Sequence, residues 1–92
     1  MNYALFVAES PTDDAPPEKR RDWQNFAGIA RDKMATLGGV TRLHQGVYLC
    51  TLPAHLLQLA TLVCLAAEWR VPSRTAFCDQ EPTLVMPPEL NS

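Results

Sequence analysis

The side chains best suited to chemistry fall early in the chain. Glu9, Asp13 and Asp14 are carboxylates within one short stretch, and hard oxygen ligands of this kind hold Mg²⁺ or Mn²⁺ for phosphodiester cleavage. They are the candidate catalytic residues. Lys19, Arg20 and Arg21 follow beside Trp23, a basic cluster with an aromatic neighbour, and are the candidate nucleic-acid contacts. Each group also has a structural reading. Asp13 or Asp14 would cap the helix that follows, Glu9 would be the polar end of a strand, and Trp23 would anchor the core. Glu18, Asp22 and Asp32 dilute the basic cluster, which favours a solvated helix end. His44, His55, Cys50, Cys64 and Cys78 are isolated from one another, without the paired spacing of a metal site. The cysteines are therefore expected to be reduced and buried, and His55 to be a neutral imidazole at the start of a helix.

These residues need elements to hold them. Tyr3–Ala8 is an apolar run closed by Glu9-Ser10-Pro11 and predicts a strand, β1 (3–8), whose two faces are both apolar because side chains alternate. From Glu18 to Leu37, the residues Trp23, Phe26, Ala27, Ala30, Met34 and Leu37 recur at steps of three and four, predicting an amphipathic helix, α1 (18–37), ended by Gly38-Gly39. Val40–His44 and Val47–Leu52 around Gln45-Gly46 predict a hairpin, β2 (40–44) and β3 (47–52). A second helix, α2 (54–70), is apolar nearly all round, with His55, Gln58, Thr61, Leu65 and Glu68 expected to form its wet stripe. Arg74–Asp79 predicts a last strand, β4 (74–79), after the Val71-Pro72 stop.

The order β-α-β-β-α-β is that of the split βαβ plait, an α+β, ferredoxin-like fold: a four-stranded antiparallel sheet with both helices on one face. Residues 1–80 would form that domain. Residues 81–92 would be a Pro-rich tail in which Thr83–Met86 is a possible short fifth strand lying over the sheet or a partner subunit. A 92-residue chain cannot divide its core in two, so one domain is expected. With 47% apolar and 20% charged residues and a net charge of -2, bulk electrostatics do not drive nucleic-acid binding. Three cysteines without CxxC spacing point to a reducing, cytoplasmic setting. The longest apolar stretch, 56–67, is short of the roughly 20 residues that span a bilayer, so no membrane association is expected.

With β1, the Val40–Thr51 hairpin and the Leu52-Pro53 step into α2 in view, the chain resembles the small CRISPR-associated endonuclease and integration-adaptor family over about residues 2–80. It is also similar to the mRNA-cleaving antitoxins of the same plait, whose third strand and second helix read much like Tyr48-Leu49-Cys50-Thr51-Leu52-Pro53-Ala54. The resemblance implies a ferredoxin-like dimer and a metal-binding aspartate at the end of β1. Here that place holds Glu9 followed by Ser10, a departure that weakens the implied nuclease activity.

The leading expectation is a homodimeric, non-enzymatic interaction or regulatory module that uses the open sheet face and takes no cofactor. The alternatives are a Mg²⁺- or Mn²⁺-dependent RNA or DNA endonuclease built on Glu9, Asp13 and Asp14, and a small-ligand binder using the apolar sheet face.

Overall fold

The computed structural model describes residues 2–81. Its elements are β1 (Tyr3–Ala8), α1 (Pro17–Leu37), β2 (Thr41–His44), β3 (Val47–Thr51), α2 (Leu56–Glu68) and β4 (Ser73–Cys78). The strands form one antiparallel sheet in the order β2-β3-β1-β4, the ferredoxin-like arrangement expected from the sequence. Thr83–Met86, and the fifth strand expected there, lie outside the described residues. None of the described helices is long and apolar enough to cross a membrane.

Alternation along β1 divides the molecule into two sides. Ala4, Phe6 and Ala8 are buried, and Tyr48 and Cys50 of β3 join them beneath the helices. Trp23, Phe26, Ala27, Ala30 and Met34 of α1 close over this layer, at the helical spacing the sequence predicts. Phe26 is the centre of an aromatic cluster, 6.4 Å from the Phe6 ring and 5.8 Å from Trp23, both in tilted geometry. Fully burying such a side chain contributes about 1.5–3 kcal/mol.

The other side of the sheet carries Tyr3, Leu5, Val7, Val47 and Leu49, all half-buried, and the exposed Ala76. Neither helix reaches this face. Leu5 pairs with Leu49 on one side and Ala76 on the other, and Val7 pairs with Val47, so the apolar residues are continuous across three strands.

α2 departs from its expected orientation. Gln58, assigned to the wet stripe, is buried, and its Nε2 donates to the Gly38 carbonyl at 3.0 Å. Leu65 in the same stripe is half-buried. The face turned to solvent instead carries Leu56, Leu57, Val63 and Cys64, with Leu57 65% exposed. Cys64 is therefore not a core thiol, Cys78 is only partly covered, and Cys50 alone fits the expectation for all three.

Both helices stop by backbone geometry. α1 ends where Gly38 takes φ 74° and donates to the Met34 carbonyl at 2.8 Å. After α2, Val71 N–H donates to Ala66 O at 2.8 Å and Arg70 N–H to Ala67 O at 3.2 Å, the paired bonds of a Schellman motif. Its left-handed position, normally glycine, is filled by Arg70 at φ 55°. That conformation costs a non-glycine residue roughly 1–2 kcal/mol.

Candidate functional site

The end of β1 is held from two sides. Ala8 N–H donates to Gly46 O at 2.9 Å and Glu9 N–H to Pro72 O at 2.8 Å, so the first residue past the strand is tied to the turn that precedes β4. From there Ser10–Pro16 crosses to α1. Ala15 N–H donates to Thr12 O at 3.0 Å and the Thr12 hydroxyl to Asp14 Oδ1 at 2.5 Å, closing a compact turn.

The three candidate carboxylates are engaged differently. Glu9 Oε1 accepts from Arg74 Nη2 at 2.6 Å, an ion pair across β1 and β4 with both side chains substantially exposed. Asp14 is held below the usual carboxylate range by the Thr12 hydroxyl first and by its own backbone N–H second. Asp13 is exposed and makes no side-chain hydrogen bond or ion pair among the described residues. Neither aspartate caps α1: the cap position is Pro16, with no side-chain capping bond, which corrects the structural role considered for them. Among the described residues, no group of three or more His, Cys, Asp or Glu side chains is placed to hold a metal ion.

Lys19, Arg20 and Arg21 lie in the first turns of α1 and are all exposed, while Trp23 is in the core, as its structural reading expects. Of the three, Lys19 lines a concavity. That pocket, about 280 Å³, lies where the β1–α1 loop meets the α2–β4 turn, and its walls include Glu9, Thr12, Lys19, Trp23, Arg70 and Pro72. Arg70 reaches toward α1, but its Nη1 is 4.0 Å from Asp22 Oδ2 and its side chain is 85% exposed, so this ion pair is at the limit of contact.

Arg70 is the residue that sequence reasoning missed, being only the last position of the range predicted for α2. The available signal was the missing glycine: a helix stopped at Val71-Pro72 needs a left-handed residue just before, and the chain offers arginine there. His55 has a structural place. Its Nδ1 accepts from Thr51 N–H at 3.0 Å, joining the end of β3 to the start of α2.

No protein-family model matches the chain, and no curated protein or solved structure is found to be similar to it.

Proposed function

We propose that this chain is a small non-enzymatic interaction module that forms a homodimer through its open sheet face and acts by presenting the paired molecule to a protein partner. The observation that supports this reading is the continuous apolar strip of Tyr3, Leu5, Val7, Val47 and Leu49 on the side of the sheet that neither helix reaches. Apolar area of that kind is favourably removed from water, and a second sheet packs on it at about 10 Å. A second copy is the occupant that suits it. The strip has no charge at its centre, and the ion pair at its end, Arg74–Glu9, is neutral in itself, so two copies related by a twofold axis would strand no charge between them.

Light scattering across a dilution series tests it. The expected result is twice the chain mass at micromolar concentration, falling to the single-chain mass in a Leu5→Lys, Leu49→Lys variant whose circular dichroism is unchanged. A wild-type monomer at micromolar concentration overturns the reading.

A further inference from the structure

The pocket beside Glu9 contains a residue that the fold does not need. Arg70 occupies the left-handed position of the motif closing α2, where glycine would be the more stable choice, and its nearest acid is 4.0 Å away. The backbone does not call for a guanidinium there, and the ion pair with Asp22 is at the limit of contact. What Arg70 does is line the pocket together with Lys19, a cation with no ion pair among the described residues. The acid in the same wall, Glu9, is already neutralised by Arg74 at 2.6 Å. The pocket thus has two cations, one without an ion pair and one with its nearest acid at 4.0 Å, and its apolar lining includes Trp23, Val71 and Pro72. At about 280 Å³ it falls just below the roughly 300–1,000 Å³ of small-molecule sites, which sets a small ligand.

We infer that this pocket binds a small organic molecule with one oxyanion headgroup, carboxylate or phosphate, on an apolar body. Arg70 and Lys19 hold the headgroup, and the apolar lining at Trp23 takes the body. A planar guanidinium offers two parallel N–H donors to such a group, which explains why arginine stands where glycine would fold better. The site lies past the end of β1, with Lys19 and Trp23 on α1 and Arg70 after α2, and shares only Glu9 with the rim of the sheet face.

The test is a titration of the uniformly ¹⁵N-labelled full chain, following the Trp23 indole N–H, which is assigned with a Trp69→Phe variant. The probes are benzoate, phenyl phosphate, inorganic phosphate and benzyl alcohol. Benzoate or phenyl phosphate is expected to shift the Trp23 signal saturably, with the other of the two, inorganic phosphate and benzyl alcohol at least tenfold weaker; which of the two wins identifies the headgroup. Arg70→Gly is expected to weaken binding at least tenfold while raising Tm by about 2–5 °C. Lys19→Ala is expected to weaken binding with Tm unchanged, and Lys33→Ala, on a distant turn of α1, to alter neither. Equal shifts with benzyl alcohol, no saturable shift with either aromatic anion, or a fall in Tm for Arg70→Gly would each overturn the proposal, the last by showing that Arg70 serves the fold.

Discussion

At the scale of single residues, the β1–α1 loop shows how a polar neighbour changes a carboxylate without burying it. The Thr12 hydroxyl donates to Asp14, and a hydrogen bond to the charged form favours that form. Because the folded-state value is depressed, the contribution to stability is complete above the ordinary value of 3.8 and fades as the pH falls through the lower, folded value. A carboxyl-carbon NMR titration should place the Asp14 midpoint below 3.8, and Thr12→Val should move it back up toward that value. An unchanged midpoint in the variant would mean that the hydroxyl is not the cause. Gly46 is a second residue whose role is local and strict. It sits in the β2–β3 turn at φ 78°, and an added Cβ would lie 2.6 Å from the Trp23 ring. Gly46→Ala therefore combines an unfavourable backbone conformation with a clash against the core, and should cost about 1–3 kcal/mol. Thermal unfolding should show this as a Tm lower by at least about 4 °C.

The elements were legible where their period was clean. β1 and α1 follow from an unbroken apolar run and from a single stripe of large apolar residues, and of the two apolar faces of β1 the helices bury one and leave the other half-buried. α2 was legible as a helix but not in its rotation. A helix that is apolar nearly all round carries no phase, so polarity at Gln58 was the available guide, and it pointed the wrong way. What turns Gln58 inward is the free Gly38 carbonyl at the end of α1, twenty residues earlier in sequence and invisible until the two helices are packed. The candidate site divides in the same manner. Glu9 and Lys19 were identifiable from type and position, whereas their partners, Arg74 and the pocket wall at Arg70, are brought close only by β4 returning beside β1. The left-handed conformation of Arg70 is fixed by the bonds of Val71 and Arg70 back to α2, and the Val71-Pro72 stop without a preceding glycine is its one trace in the sequence.

For the whole molecule, the core is built from one side of the sheet, and two of its members carry protons that matter at high pH. Burial pushes the Cys50 thiol above its ordinary 9.0. It also pushes the Tyr48 phenol above 10.0, against a smaller lowering by Arg42 and Arg31. Both are raised, and for both the neutral form is the one the fold favours. Their contribution is thus fully present below the unfolded values and is lost as the pH rises through the folded ones. Tm should hold steady up to about pH 8.5 and fall between pH 9 and 11, and Cys50→Ala, although less stable throughout, should lose the earlier part of that fall. A Tm that is flat to pH 11 would show that these groups ionise without cost in the folded state.

The strand at the centre of the sheet is the one nearest the start of this sequence. Tyr3–Ala8 hydrogen-bonds to Val47–Thr51 on one edge and to Ser73–Cys78 on the other, so its partners arrive some forty and seventy residues later. A ribosome making this chain releases the central strand before either of its two partners. Until Thr51 has cleared the exit tunnel both edges of that strand are unpaired, and until Cys78 has followed, the edge that β4 takes stays open to a neighbour's.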